Sequence, residues 1–440
     1  MNRLFCASAV VLSFMKWTEA NWRDHAKGFP GFLAPFVRPL GRSERREGAA
    51  LYVEGLLLPG ERKSIEPMAE RLGVDSQKLQ QLLTDSPWDD REVWQAIRQV
   101  IPTHLEPLWA WIVDETGWLK QGKHSVGVAH QYCGAEGKSA NCQVNVEVAV
   151  TDGQVAVPIG ARLYLPEKWL QDRERCRGAG VPAEIAFATK PEIALELIRH
   201  ALADQVPRAP VLGDNAYGIN GPFRDGLREL GLEFLLQVDA RQLTGWAQPV
   251  SLERKRTCWH VRPSQPKALP LTQLFAGQKK PAWHPCSWKA ADGQTRRTRL
   301  AWMKVYLAGS LDRGAPKLEE LWLVVDWPAG EAEPYHYYLA HLHSPPAKAR
   351  ILRLSRSRWN IEQYFQRGKT DLGLDHYEGR SWRGFHHHLV LAVLAYLFVT
   401  VVYLRAKKNF WCDVGTDTEE DAAVVAALDR LLPLLWAKVR

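Results

Sequence analysis

The sequence predicts a mixed α/β sheet core with a helical leading segment and a β-rich insertion, and three observations predict it. Residues 1 to about 100 carry apolar side chains at helical spacing. From 108 onward, short alternating runs are followed by strand and helix in turn, the pattern of a mixed sheet. Residues 241–343 break that alternation with Trp, Pro and further short strand candidates. The expected organisation is a helical unit over 1–100, a first part of the core over 101–240, the β-rich insertion over 241–343, and a second part of the core with terminal helices over 344–440.

In the leading segment, SIEPMAERLGVDSQKLQQLL reads as two short helices around Gly73. Ser64 is placed to cap the first, Ile65, Met68 and Leu72 recur on one face, and Asp75 or Ser76 is placed to cap the second. The pattern suits a helix-turn-helix that reads DNA and equally suits any packed helix pair. Next, LWAWIVD, HSVGVAHQY, CQVNVEVAV and VAVPIGARLYL read as strands, separated by DETGW, GAEGKS and TDGQ as turns. PEIALELIRHALADQV and GPFRDGLRELG read as helices, each followed by a short strand candidate or preceding one (APVLGD, LEFLLQVDA). Within the insertion LEELWLVVDW and YHYYLAHLH are strand-like. After Pro345 and Pro346, AKARILRLSRSRWNIEQYFQRGKTDLGL reads as one long helical stretch, followed by a buried helix at 389 and an amphipathic one near 420–438.

The 440 residues are 46% hydrophobic, enough for sizeable cores, and the net charge of +8 favours a polyanionic partner such as nucleic acid. Seven scattered cysteines with no CxxC pair match a reducing cytosol. The opening MNRLFCASAVVLSF imitates a secretory signal, but no small-residue cleavage site follows, so a mis-assigned start or an ordinary first helix, and a cytoplasmic location, are expected. The apolar run from Leu389 to Leu404 is shorter than the roughly 20 residues a membrane span needs, which predicts a core helix and no membrane partner.

Asp114 closes the apolar run WAWIVD and Asp214 closes APVLGD, so both carboxylates are expected at strand ends, where α/β sites gather. A lone Asp in that setting also serves as a turn former or helix cap. Glu362 is placed on one helix face with Arg358 four residues before it and Lys369 seven after. An exposed ion pair would give the same spacing, yet Trp359, Ile361, Tyr364 and Phe365 bury much of this helix. Three converging carboxylates are hard oxygen ligands suited to two Mg²⁺ (or Mn²⁺) ions, which activate a nucleophile and stabilise a leaving oxygen in phosphoryl chemistry. Arg358 and Lys369 would then hold phosphate oxygens.

Between Arg254 and Lys304 stand twelve Lys or Arg and one acid, Asp292, interleaved with Trp259, Trp283, Trp288 and Trp302. Cations for phosphates and aromatic faces for bases make a strand-handling surface, unless they are the solvated face of a Trp-stapled β-unit. Cys258, His260, His284 and Cys286 offer a zinc set, but with one-residue spacing instead of the usual two to four. With no Gly-rich phosphate loop, GxSxG or HExxH, nucleotide hydrolysis and serine chemistry have no support.

RWNIEQYFQRGKTDLGLDHYEGRSWRGFHHH, from Arg358 to His388, resembles the Glu-containing signature of DDE transposases of bacterial insertion sequences, in the branch with a β-domain before the Glu. Arg358, Glu362 and Lys369 fit that signature, while Ser355 stands where it has Tyr. DETGWLKQGKHSVGVAHQYCGAEGKSANCQVNVEVAV and VLGDNAYG resemble the two Asp regions of the same branch, and YVEGLLLPGERKSIEPMAERL with SPWDD its amino-terminal part. The resemblance implies a ribonuclease-H-like core interrupted by a β insertion, with Asp114, Asp214 and Glu362 as catalytic metal ligands. It also implies DNA contacts at Arg358, Lys369, Lys120, Lys123, Trp382 and His386. The implied partners are DNA, at inverted terminal repeats and at a target, and a second copy of the chain in the DNA complex. A nuclease without strand transfer and an inactive DNA-binding regulator remain alternatives on sequence alone.

Overall fold

The computed structural model describes residues 19–413 apart from 102–104, 106, 135, 256–257, 280, 291–293 and 308–317, and only the backbone of 254–255, 258–259 and 405–413. The signal-like opening and the helix expected near 420–438 lie outside the described residues.

The leading segment is helical: α1 (Glu19–His25), α2 (Phe29–Val37), α3 (Ser43–Leu57), α4 (Ile65–Leu72), α5 (Ser76–Thr84) and α6 (Asp90–Val100). Gly73 ends α4 in the left-handed region, which a residue without Cβ adopts cheaply. Asp75 then caps α5 by accepting from the Gln77 N–H at 2.9 Å, whereas the Ser64 side chain makes no cap bond to α4.

A twelve-stranded sheet forms the centre of the molecule. It begins with an antiparallel meander of β1 (Ala110–Leu119), β2 (Ala129–Cys133), β3 (Lys138–Thr151) and β4 (Ala156–Tyr164). Two short helices, α7 (Glu167–Gln171) and α8 (Arg173–Gly178), lead to α9 (Lys190–Ala203), whose N-terminus carries a full capping box between Thr189 and Glu192. Then follow β5 (Val211–Gly213), α10 (Asn215–Gly218), α11 (Gly221–Glu229) and β6 (Phe234–Val238). β5 lies parallel to β1 and β6 parallel to β5, giving the order β4-β3-β1-β5-β6. Three antiparallel strands followed by two parallel ones is the ribonuclease-H-like arrangement expected from the sequence.

The β-rich segment contributes β7 (Thr244–Trp246), β8 (Leu252–Lys255), β9 (Cys258–Val261), β10 (Leu269–Pro270), helix α12 (Leu271–Ala276), β11 (His284–Lys289), β12 (Thr295–Leu307), β13 (Glu319–Pro328) and β14 (His336–His341). These strands do not form a separate layer. β14 pairs with β6, so β13, β12, β7 and β10 prolong the core sheet, while β8 and β9 form a small hairpin of their own. A buried bidentate pair, Arg224 on α11 to Glu319 on β13 at 2.8 and 2.7 Å, fastens the core to this extension.

The stretch read as one long helix is two, α13 (Lys348–Ser357) and α14 (Trp359–Leu372), with Arg358 at the junction. The last described helix, α15 (Trp382–Asp413), packs on α3, α5, α6 and α14. It contains the one described helix long and apolar enough to cross a membrane, and 78% of that apolar window is buried inside the protein.

Candidate active site

Asp114 stands within β1, not at its end. The sequence DETGWL continues as strand because the fourteen residues of β3 pair with β1 along its whole length. The expectation of a turn at DETGW fails on that pairing. Only the parallel partner stops here: Trp111 and Ile112 pair with Val211 and Leu212, and β5 ends at Gly213. Two residues further along each chain stand Asp114 and Asp214, side by side where the parallel pairing ends.

Asp214 caps α10, its Oδ1 accepting from the Ala216 N–H at 2.9 Å. It is therefore a helix cap as well as a candidate ligand, and neither role excludes the other, since a carboxylate has two oxygens. Asp114 uses Oδ1 to accept from the Glu115 N–H at 2.8 Å and turns Oδ2 toward Arg358.

Arg358 joins the acids. As the residue before α14, its side chain makes no cap bond, and its guanidinium donates to Asp114 Oδ2 at 3.1 Å and to Glu362 Oε1 at 2.5 Å. Burial works against its charge, but Asp114, Glu362 and Asp214 together hold its pKa above the ordinary value. All three predicted carboxylates thus act on one cation. Among the described residues no three acidic, imidazole or thiol groups are gathered tightly enough to hold an ion as they stand.

The electrostatics of the pair of aspartates are those of a site short of positive charge. Burial pushes the Asp114 carboxyl up to about 7, Arg358 opposes that, and Asp214 adds to it. Burial likewise raises Asp214, helped by Glu115 and opposed by Arg358. Two half-buried carboxylates that resist ionisation are stabilised by any further cation placed between them. The donor set is all hard oxygen, which suits Mg²⁺ or Mn²⁺, so these residues fit a divalent ion.

Lys369 does not join the carboxylates. Its ammonium donates to the Gly117 carbonyl at 2.8 Å, and burial lowers its pKa. Seven residues of α14 advance about 10 Å, and so do the three residues of β1 from Asp114 to Gly117, so a helix crossing the strand carries Lys369 past the site. Lys120 is also engaged: it donates to the Tyr377 carbonyl, with its pKa lowered by burial. Lys123 is exposed and Trp382 half-buried, both at the surface. His386 is 5% exposed, accepts from the Leu163 N–H at 3.3 Å, contacts the Trp382 carbonyl at 2.9 Å, and is pushed down to about 4 by burial. The expected DNA contact at His386 is thus replaced by a place in the core as a neutral, hydrogen-bonded ring.

Residue pattern alone missed Glu115, Glu147, Tyr217 and Tyr364. Glu115 faces the other side of β1, where it pairs with Lys190 and accepts from the Tyr217 hydroxyl at 3.1 Å. Its signal was the acidic doublet Asp114-Glu115. Glu147 is fully buried, and burial pushes its carboxyl up to about 8. Its signal was a charged residue inside the apolar run VNVEVAV, which only the register of β3 connects to Asp114.

On the extended sheet Arg299 lies against an edge-to-face pair of indoles, 4.1 Å from the ring centre of Trp327 and 5.6 Å from that of Trp283. Arg356 lies 4.2 Å over Trp288 and pairs with the buried Asp326 at 2.6 Å. A cleft of about 480 Å³ opens beside them, lined among others by Ser287, Arg297, Arg299 and Trp327. The zinc set is not assembled among the described residues: His284 stacks on Trp302 with ring centres 4.3 Å apart, and the Cys258 side chain lies outside those described.

A family model described as DDE superfamily endonuclease matches residues 35–298, a stretch that contains Asp114 and Asp214 and ends before Glu362. A protein of Microchaete diplosiphon described as a probable transposase for insertion sequence element IS701 is 32% identical over 181 residues. The shared stretch is 40% of this chain and 44% of that relative, so the chain spans less than half of the relative's length. With the family match covering more than half of its residues and the core sheet in this strand order, the chain belongs to the DDE superfamily endonucleases.

Proposed function

We propose that this protein is a transposase that cuts DNA at the ends of its element and joins the 3′-ends to target DNA, working as a dimer with Asp114, Asp214 and Glu362 as the ligands of two divalent ions. The observation that carries this reading is that the Arg358 guanidinium pairs with both Asp114 and Glu362, with Asp214 beside Asp114 where the parallel pairing of β1 and β5 ends. When bound, Mg²⁺ or Mn²⁺ would activate the attacking hydroxyl or water and stabilise the leaving oxygen. The chain's own groups do the rest. Asp114, within β1, and Asp214, just past the end of β5, supply negative charge where the parallel pairing of the two strands stops, and Glu362 approaches from α14. Arg358 bridges Asp114 and Glu362 in the free protein and is placed to turn its fork to a phosphate. Lys123 and Trp382 at the surface, and the Arg and Trp groups of the extended sheet, offer phosphate and stacking contacts to the DNA.

The test uses the DNA that flanks the gene on both sides, searched first for inverted repeats, with Mg²⁺ or with EDTA. Metal-dependent breaks at the repeat ends, followed by joined products, support the reading. Breaks without joining support a nuclease, and binding without any break supports a regulator.

A further inference from the structure

β3 places Glu147 directly across from Asp114. Neighbouring residues in register project to the same face, and on this face lies α14. Two pairs of buried polar groups meet between the helix and β3. At the first, Asn360 Nδ2 donates to Thr151 Oγ1 at 2.9 Å. At the second, the fully buried hydroxyl of Tyr364 lies against Glu147. Asn145 already donates to Glu147 Oε1 at 2.6 Å, while the buried Glu147 Oε2 and the buried Tyr364 hydroxyl make no aligned hydrogen bond, to each other or to any other described group. Unpaired oxygens in a core are costly, so each group is the other's natural partner. Glu362 lies between Asn360 and Tyr364 in sequence, so whatever fixes these two points fixes where the backbone of Glu362 stands over β1.

Resting on the metal-site reading above, we propose that Glu147 and Tyr364 form a buried tether that seats α14 on β3 and so act as positioning residues, holding Glu362 at the distance from Asp114 that a shared divalent ion requires. Neither touches the ion or the DNA. Tyr364 removes no charge when shortened to Phe, and Glu147 keeps its acceptor when changed to Gln.

The experiment compares the full chain with Tyr364→Phe, Glu147→Gln, Glu147→Leu and the double variant Glu147→Leu/Tyr364→Phe, using Mn²⁺ titration calorimetry on the protein alone and hydrogen exchange of the α14 amides. Tyr364→Phe and Glu147→Leu are each expected to weaken Mn²⁺ binding about three- to tenfold and to speed exchange in α14. The double variant should be no worse than the worse single one, because both break one contact. Glu147→Gln should stay within about twofold of the parent chain. Independent, multiplying effects of the two changes, or an unchanged Mn²⁺ affinity and α14 exchange in Tyr364→Phe, overturn the tether. A parent chain that binds no Mn²⁺ overturns the metal-site reading instead, and the exchange comparison then still decides whether the tether exists.

Discussion

Replacing Asp114 by Asn should make the metal-free protein more stable. The carboxyl is pushed up to about 7 by burial, against an ordinary value of 3.8. A carboxyl whose folded pKa lies above its unfolded one binds its proton more tightly in the fold, so stability falls as pH rises from about 4 to about 7 and the loss is complete above 7. The gap between 3.8 and about 7 corresponds to ~4 kcal/mol at pH 8, and to less than half of that at pH 5, where the unfolded chain alone is ionised. Both figures are upper values, since the unfolded chain is itself partly compact. Asn keeps the shape, cannot ionise, and still leaves Arg358 paired with Glu362. In EDTA at pH 8, the melting temperature of Asp114→Asn should therefore exceed that of the parent by roughly 3–8 °C, and the gap should narrow by more than half at pH 5. Added Mg²⁺ should raise the parent's melting temperature and leave the variant's nearly unchanged. A variant less stable than the parent at pH 8, or a gap that does not narrow in acid, refutes the reasoning.

Mn²⁺ binding to the DNA-free protein should strengthen as pH rises toward about 7, because the ion must displace the proton that burial keeps on Asp114, as titrations at several pH values check; an affinity that does not change between pH 5 and pH 8 contradicts the assignment. Asp214→Ala and Glu362→Ala should each abolish metal-dependent cleavage and leave salt-sensitive DNA binding within about twofold in a gel-shift titration. Lys369→Ala should lower stability by about 1–3 kcal/mol through the stranded Gly117 carbonyl, with no change in the salt dependence of DNA binding, as measured by denaturant unfolding and by binding at several salt concentrations. Gly218→Ala would set a Cβ 1.9 Å from the Gln237 carbonyl, so a loss of about 3 kcal/mol is expected in the same unfolding assay.

Much of this fold was legible because local chemistry and tertiary structure agree. Gly73 and Asp75 mark helix ends that any neighbours would leave in place. Strand ends were less legible: Asp114, Glu115, Thr116 and Gly117 are turn-forming residues by composition, and only the long partner β3 makes them strand. The break at Arg358 was invisible for a related reason, since its backbone is itself helical (φ −57°, ψ −35°) and no Gly or Pro marks the junction. At the site, the proposed acids and Arg358 were singled out from spacing and resemblance, and the pairing of Arg358 with Asp114 and Glu362 follows from the way α14 crosses β1. The distance of Lys369 from them was not readable, because one helical face still spans a long stretch of strand when helix and strand cross. Burial of His386 and the facing of Glu147 and Tyr364 depend on contacts between segments more than 200 residues apart, and no local pattern encodes those.

The most direct test of the central claim is anomalous scattering from crystals of the protein with Mn²⁺ and DNA bearing an element end. The account predicts Mn²⁺ peaks within about 2.0–2.6 Å of carboxylate oxygens of Asp114, Asp214 and Glu362, with Arg358 released from Asp114 and turned to a phosphate. Bound DNA with Mn²⁺ ligated elsewhere, or with Arg358 still bridging Asp114 and Glu362 and no ion beside them, would contradict it.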